Sequence, residues 1–368
     1  MRAISEDRCR SLKSGVSGIM RVKNDGESVV ACIDSCIAAL DELIIVYNDC
    51  SDNTPELVRR KEQEYPDKIK VFEYKHKVYS VNLSKEEYEY ALSLPEDSPS
   101  LLCNYYNYAL SKVSYKYAIK IDADQIYFPK QLEKWCDVCR SENLSVASIK
   151  YFMGFVFNLY FMLFKFLCFK SNKVYSLMPS WLVRWSYPYY IDYAKTRFLK
   201  GCATLSLSGV NVVKDDNTWF VSLGKQDKII NILPPFNGDG DHLLFRVSPQ
   251  TYYVKYDMPY YNLLTSGKYS LIECFHHPYK ILPVGFSWFH VNAMRKRNLA
   301  KVLQAKGRYP GAFVELRQFV NMRYAAILSK SGRDMFVARH RALFMFIFKG
   351  DIGAVKQNIS ILQKYDPN

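Results

Sequence analysis

The first third of the chain alternates short apolar runs with longer amphipathic segments. Four short apolar runs predict strands, at residues 15–22, 41–49, 69–74 and 115–122. Three segments with apolar positions at helical spacing predict helices, at residues 27–40, 54–65 and 100–113. Strands that alternate with helices are typical of a parallel sheet covered on both faces. We therefore expect an α/β fold that binds its ligand at the carboxyl ends of these strands.

The pattern changes after residue 150. Residues 151–169 are almost continuously apolar and are interrupted only by Asn158 and Lys165. Because a lysine is unfavourable at the centre of a bilayer, we expect a buried or interface-lying segment, with a membrane span as the less favoured alternative. Between residues 206 and 290, short apolar runs alternate with Gly, Pro and Asn, which predicts irregular strands and loops.

The positive charge of the chain is concentrated at its C-terminal end. The net charge is +14, and residues 295–368 hold fifteen Lys/Arg against four Asp/Glu. No zinc finger, RNP-type strand or helix-turn-helix supports a nucleic-acid partner, so we expect none. An anionic membrane surface fits better, because the basic residues are mixed with an apolar segment.

We expect this C-terminal part to be a basic helical module that docks on anionic lipid through residues 335–350. The cations expected to reach the headgroups are Arg339, Arg341 and Lys349. The side chains expected to supply apolar area are Phe336, Leu343, Phe344, Ile347 and Phe348. The alternative is that this helix packs its apolar side onto the rest of the protein.

Two observations bear on the cellular compartment. The ten cysteines lack the short regular spacing of a disulfide framework, and the first residues do not have the pattern of an export signal. We therefore expect a cytoplasmic protein with reduced thiols, peripheral on the inner face of the cytoplasmic membrane.

The stretch "YAIKIDADQIYFP", residues 117–129, places Asp122 and Asp124 directly after a predicted strand. A buried carboxylate that is not paired costs several kcal/mol, so this pair requires a cation or a metal ion. Taken alone, Asp-x-Asp also fits a solvated turn or a helix cap.

Two segments carry a family resemblance, "MRVKNDGESVVACIDSCIAALDELIIVYNDCSDNTPEL" (20–57) and "IKIDADQIYFP" (119–129). They resemble the GT-A type nucleotide-sugar glycosyltransferases, especially the bacterial family-2-like enzymes that build surface polysaccharides. A weaker similarity is present at "GDGDHLLF" (238–245) and "WFHVNAMRK" (288–296). The resemblance implies a Rossmann-like mixed sheet flanked by helices.

The resemblance also implies roles for individual residues. The first strand-to-helix turn is expected to hold the nucleotide base and ribose, through Arg21, Lys23, Asn24 and Glu27. Either Asn48 or Asp49, at the end of the second strand, is expected near the uridine or ribose. His290 is implied as a metal ligand, with Arg295 or Lys296 near the diphosphate; the alternative is a core histidine.

The Asp-x-Asp then acquires a chemical role. We expect Asp124 to bind Mn²⁺ or Mg²⁺, and Asp122 to reach the ribose or a metal-bound water. The ion would stabilise the charge that develops on the leaving diphosphate.

An inverting transferase also needs a base for the acceptor hydroxyl. The Gly-rich loop at 237–242 offers Asp241 as the first candidate, Asp239 as the second and His242 as a weaker one. Asp241 could instead cap the segment that begins at His242.

We predict a metal-dependent, inverting glycosyltransferase that moves a hexose from a nucleoside-diphosphate sugar, with UDP favoured, to a lipid-linked or lipopolysaccharide- or capsule-type glycan. The predicted parts are residues 1–150 for nucleotide-sugar binding, 151–294 for the acceptor and the completion of the sheet, and 295–368 for the basic module. One alternative is a nucleotidyltransferase acting on a sugar phosphate, although that class has a glycine cluster after its first strand that is missing here. The other is a non-enzymatic protein that binds membrane surfaces.

Overall fold

The structure is a computed structural model that describes residues 4–80, 83–142, 147–170, 178–226, 231–238, 242–256, 260–261, 269–330 and 338–364. The helices are α1 Glu6–Ser11, α2 Val29–Cys36, α3 Thr54–Glu64, α4 Lys85–Ser93, α5 Leu102–Leu110, α6 Pro129–Ser141, α7 Ser148–Lys170, α8 Ser180–Leu199, α9 Lys296–Arg308, α10 Leu316–Phe319, α11 Tyr324–Lys330 and α12 Ala338–Asn358. The first strands are β1 Lys13–Val22, β2 Glu42–Tyr47, β3 Ile69–Glu73, β4 Tyr115–Asp122, β5 Gln125–Tyr127, β6 Ala203–Asp215, β7 Thr218–Ser222, β8 Lys225–Gln226 and β9 Asn231–Ile232. The remaining strands are β10 Phe236–Asn237, β11 Leu243–Arg246, β12 Tyr252–Lys255, β13 Tyr260–Tyr261, β14 Tyr269–Ser270, β15 Glu273–His276, β16 Lys280–His290 and β17 Phe313–Glu315.

The chain forms two compact units. Unit 1 comprises residues 1–123 and 245–279, and unit 2 comprises residues 124–244 and 280–368. These units do not coincide with the functional parts 1–150, 151–294 and 295–368, which stay a prediction.

Unit 1 contains the predicted parallel sheet. Its strands follow the order β3-β2-β1-β4, and all three pairings are parallel. The predicted α/β alternation is therefore confirmed, and β4 has the predicted bounds. Helix α2 ends at Cys36, four residues before the predicted end, because the chain turns there to enter β2. This topology brings the carboxyl ends of β1, β2 and β4 to one edge of the sheet.

Unit 2 is built around the long strand β6. Strands β7, β10 and β11 pair with it antiparallel and β16 pairs with it parallel, so this part of the sheet is mixed, as predicted. Strand β5, which follows the Asp-x-Asp, runs antiparallel to β16. The irregular strands predicted between residues 206 and 290 are confirmed. The longest element near the end of this range, β16, has 11 residues, and its register with β6 shifts between Pro283 and Phe286 and again between Phe286 and Trp288.

Helices α7, α8 and α12 pack together in unit 2. The ring of Phe346 on α12 is the centre of this layer and lies 4.3 Å from the ring of Phe161 and 4.9 Å from that of Tyr190. Among the described residues, α7 is the one helix long and apolar enough to cross a membrane, over Ser148–Leu167, and only 28% of that stretch is buried. Phe157 and Phe164 lie on its buried face.

The expectation of an exposed apolar side on α12 is wrong. Leu343, Phe344, Ile347 and Phe348 are each less than 5% exposed. They are buried because the whole run 342–348 is apolar around the helix, which is the pattern of a core helix and not of an interfacial one. Phe336 lies outside the described residues, as do the side chains of Arg339 and Arg341.

Candidate active site

In unit 1, the loop after β1 is connected to the loop after β2 by an ion pair and by hydrogen bonds. The Lys23 ammonium lies 2.8 Å from a carboxylate oxygen of Asp49, and both side chains are exposed to solvent. The backbone N–H of Ser51 donates to the side-chain oxygen of Asn24 at 2.7 Å. Asn24 and Asp49 adopt left-handed backbone conformations, with φ of 56° and 46°. The hydrogen bond and charge of Lys23 lower the pKa of Asp49, so Asp49 is ionised at neutral pH.

A second set of contacts in these loops was not found from the sequence. The backbone N–H of Asp25 donates to the Thr54 hydroxyl at 2.8 Å, and that of Gly26 donates to Asp52 at 3.0 Å. Asp52 also accepts from the backbone N–H of Thr54, two residues on, as in an Asx-turn. Partial burial raises the pKa of Asp52, but these hydrogen bonds outweigh it and lower the pKa overall. The "CSDNT" turn gives the sequence signal for this arrangement.

Arg21 lies at the end of β1 beside Asp122 of β4 in the parallel register. Its guanidinium carbon lies 3.4 Å from the centroid of the Tyr106 ring, and the guanidinium donates to the Tyr106 hydroxyl. Burial lowers the pKa of Arg21, but Tyr106 and Glu273 offset this and raise the pKa above its usual range. Asp122 is about one-third exposed and lies 3.6 Å from the Lys120 ammonium. Arg21, Asp122 and Lys120 thus lie close together at this edge of the sheet.

The two alternatives at the end of β2 differ in their surroundings. Asn48 is buried, and its amide nitrogen donates to the backbone oxygens of Tyr74 at 2.6 Å and His76 at 2.8 Å. Asp49 is exposed next to it, and Glu27 is exposed in the first loop. Asn48 therefore fixes the loop, whereas Asp49 is accessible to a ligand.

In unit 2, the carboxylate of Asp124 contacts two basic side chains. An Arg295 nitrogen donates to Oδ2 of Asp124 at 2.9 Å, and Nε2 of His290 lies 3.5 Å from Oδ1. The backbone fixes this geometry, because Gln125 pairs with His290 across β5 and β16 and the N–H of Val291 donates to the Asp124 carbonyl at 2.9 Å. The structure thus places Asp124, His290 and Arg295 together, and the contact between Asp124 and Arg295 was not predicted from the sequence.

Asn211 on β6 determines which nitrogen of His290 faces Asp124. The Asn211 amide nitrogen donates to the carbonyls of Pro234 at 2.6 Å and Phe236 at 3.3 Å, so its oxygen must be the atom 2.5 Å from Nδ1 of His290. That oxygen can only accept, and Nδ1 therefore carries a hydrogen. In a neutral His290, Nε2 then presents its lone pair towards Asp124.

A lone pair facing a carboxylate is favourable only if a cation or proton lies between them. Asp124 and His290 offer one oxygen and one nitrogen donor, which suit Mn²⁺. Among the described residues, no group of three His, Cys, Asp or Glu side chains is placed to hold a metal ion. The metal roles of Asp122, Asp124 and His290 therefore stay predictions.

The predicted bases lie in a loop that the structure describes only at its ends. Asp239 and Asp241 are outside the described residues. His242 is 3% exposed, with its ring 4.8 Å from that of Trp288, so it is shielded from solvent. Asn237 accepts a hydrogen bond from the Trp288 indole at 3.1 Å.

A parallel sheet with polar loops at its carboxyl edge, followed by an Asp-x-Asp whose second member binds His and Arg, has the features of a nucleotide-sugar glycosyltransferase. The family model described as Beta-1,4-N-acetylgalactosaminyltransferase (CgtA) matches residues 5–173. Over that part of the chain, the match confirms the resemblance to a bacterial surface-glycan glycosyltransferase.

The other comparisons add little. A search of curated proteins found no match. Among solved structures, the chain is similar to S. aureus TarS with 16% identity, over 35% of this chain and 33% of that one, at a TM-score of 0.24. The similarity thus spans about a third of the TarS chain, and at that TM-score it supports no inference.

Proposed function

We propose that this protein transfers N-acetylgalactosamine or a related hexose from a UDP-sugar to a glycan acceptor, with inversion at the anomeric carbon. The observation that carries the proposal is the buried Asp124 carboxylate held between Arg295 and His290. The description of the matching family supports the sugar. The accessible Asp49 and Lys23 support a ribose or base contact at the carboxyl edge of the parallel sheet.

The chemical demand of such a transfer is the stabilisation of a leaving nucleoside diphosphate. Arg295 supplies a permanent positive charge at Asp124, and a guanidinium can bind phosphate oxygens in a bidentate manner. Asp124 and His290 would hold Mn²⁺ or Mg²⁺, with Asp122 as the further proposed ligand. When bound, that ion would act as a Lewis acid on the diphosphate.

The acceptor half of the reaction requires a base. We retain Asp241 for removing the proton from the acceptor hydroxyl, with Asp239 as the alternative. The proposed acceptor is a lipid-linked or lipopolysaccharide- or capsule-type glycan on the inner face of the cytoplasmic membrane.

The test compares the Asp124→Asn variant with the parent protein, using UDP-sugars and a panel of soluble glycan acceptors. The amide removes the negative charge that binds Arg295 and the ion, so we expect transfer to fall by about 100-fold or more. The matched control is Asp137→Asn, in which an exposed carboxylate of unit 2 is changed. EDTA should abolish parental transfer and added Mn²⁺ should restore it.

Full activity of Asp124→Asn, or full parental activity in EDTA, would contradict the roles of the carboxylate and the metal. Release of pyrophosphate from a nucleoside triphosphate and a sugar phosphate, with no glycosyl transfer, would instead identify a nucleotidyltransferase.

A further inference from the structure

An apolar surface is exposed on helices α7 and α8 of unit 2, which pack against each other. We call it the apolar face and define it by six side chains that are between 45% and 70% exposed: Phe152, Val156, Leu159, Leu163, Trp181 and Trp185. The four residues on α7 follow each other at intervals of four, three and four, which places them on one side of the helix. A patch of this kind on a soluble protein marks an interaction surface.

The opposite side of α7 is already occupied within unit 2. Phe157, Phe161 and Phe164 are buried there, and the rings of Phe157 and Phe161 pack on Phe346 of α12. One side of the helix thus belongs to the protein core, while the other faces outwards. This two-sided arrangement suits a helix that lies along an interface, and Lys165 makes a spanning position unfavourable.

The charges around the apolar face point to an anionic partner. Helix α7 contains no Asp or Glu, and Arg184 lies between Trp181 and Trp185 on α8. Arg184 also lines a cavity of about 640 Å³ in unit 2, together with Arg323, Lys349 and Lys356. No Asp or Glu lines this cavity in the described part of the chain.

The cavity has the electrostatics of an anion site. Burial lowers the pKa of Lys349 to about 8, the direction expected of an ammonium group that lacks a counter-charge. Its Nζ donates to the backbone oxygen of Met178 at 2.6 Å, and that of Lys356 lies 3.4 Å from the Asn321 side-chain oxygen. The Met178 carbonyl and the Asn321 amide are both neutral, so they do not compensate the positive charges of Lys349 and Lys356.

We propose that the apolar face lies in the headgroup region of a bilayer containing anionic lipid, and that the basic cavity binds lipid phosphate. Tryptophan is suited to this depth because its ring is apolar and its N–H is polar. The apolar contact with the bilayer is therefore made by α7 and α8, and not by α12, whose apolar side is buried. Helix α12 contributes only the cations Lys349 and Lys356 of the basic cavity. The inference goes beyond the proposed function, because docking requires no sugar transfer.

The experiment is flotation of the full chain with vesicles of phosphatidylcholine alone or mixed with phosphatidylglycerol. The apolar variant combines Phe152→Glu, Leu159→Glu and Leu163→Glu, and its control is Tyr90→Glu, an exposed aromatic of unit 1. The charge variant combines Arg323→Glu and Lys356→Glu, and its control is Lys77→Glu with Lys85→Glu, two exposed cations of unit 1. Because all sites are surface positions, thermal unfolding should show that the variants remain folded.

The parent should float with anionic vesicles and poorly with neutral ones. The apolar variant should bind anionic vesicles at least about tenfold more weakly. The charge variant should lose the preference for anionic lipid, and both controls should behave like the parent. Transfer to soluble acceptors, measured on the same variants, separates a failure of docking from a failure of the proposed enzyme.

Three outcomes would overturn the proposal. The first is parental flotation by the apolar variant. The second is a stable dimer that becomes monomeric in the apolar variant, since the face would then be a self-association surface. The third is resistance of the membrane-bound protein to alkaline carbonate extraction, which would identify α7 as a spanning helix.

Discussion

At the scale of single residues, Asn211 determines which ring nitrogen of His290 faces Asp124. Its amide nitrogen is engaged by two backbone carbonyls, so its oxygen holds the hydrogen of Nδ1 and leaves Nε2 facing the carboxylate. Outer partners of this type orient a metal-ligating histidine and raise its basicity. Asn211 is therefore a positioning residue for the proposed metal site.

We predict that Asn211→Ala raises the Mn²⁺ concentration needed for half-maximal transfer by about 10- to 100-fold. The physical reason is that His290 loses the acceptor that fixes its tautomer. Activity titrated against Mn²⁺ measures the effect, and saturating Mn²⁺ should recover part of the rate. A rate loss that no Mn²⁺ concentration relieves would indicate a purely structural role, and a melting-temperature comparison would support that reading.

The sequence singled out Asp124, His290 and Arg295 as candidates because each lies in a short motif. It could not identify Asn211, whose partners Pro234 and Phe236 come from a distant segment. A polar residue inside the apolar strand "GVNVV" was the one available signal. Pairing between strands β6 and β16 turns that residue into part of the site.

At the scale of elements, α12 is joined to β16 by a buried carboxyl group. Asp351 accepts a hydrogen bond from the backbone N–H of Phe286 at 2.7 Å. Burial raises the pKa of Asp351 to about 7, and the Phe286 hydrogen bond only partly opposes it. Between pH 4 and 7, the folded protein therefore holds a proton that the unfolded chain has released. This group makes stability fall as the pH rises through that range, and the loss is complete above about pH 7.

We predict that Asp351→Asn stabilises the protein at pH 8 by up to about 4 kcal/mol, because it removes the cost of a buried ionised carboxylate. Near pH 4 the variant and parent should be equally stable. Urea unfolding at both pH values measures the difference, with Asp137→Asn as the exposed control. A gain that is the same at both pH values would contradict the raised pKa of Asp351.

The elements of unit 1 could be predicted because its strands are apolar and its helices amphipathic. The spacing of apolar residues along the sequence therefore matches the pattern of buried residues in the structure. Helix α7 could be predicted as an apolar segment, but not which side faces outwards. That side is set by Phe346 of α12, which lies almost two hundred positions away in sequence. The run of apolar residues at 342–348 was the sequence signal that α12 is a core helix, but the surrounding basic residues favoured the wrong interpretation.

At the scale of the whole molecule, the C-terminal residues belong to unit 2 and are not an appendage to it. The charge surplus of residues 295–368 suggested a separate basic module. In the structure, α12 packs on β16, α7 and α8, and its apolar side is buried. Residues 295–368 therefore contain both the surplus of basic residues and part of the hydrophobic core of unit 2.

We predict that deletion of residues 331–368 abolishes folding of unit 2. The deletion removes Leu343, Phe344, Phe346 and Ile347, which are almost fully buried and each contribute about 1.5–3 kcal/mol of burial. Their sum of about 6–12 kcal/mol is as large as the 5–15 kcal/mol that stabilises a typical domain, and Phe157 and Phe161 would also be exposed. The deletion chain should be insoluble or lack a cooperative thermal transition, whereas the Phe152→Ala control, at an exposed site of α7, should melt like the parent. If the deletion chain is soluble with an unchanged melting temperature, α12 is not part of the core, and the separate basic module predicted from the charge distribution is correct.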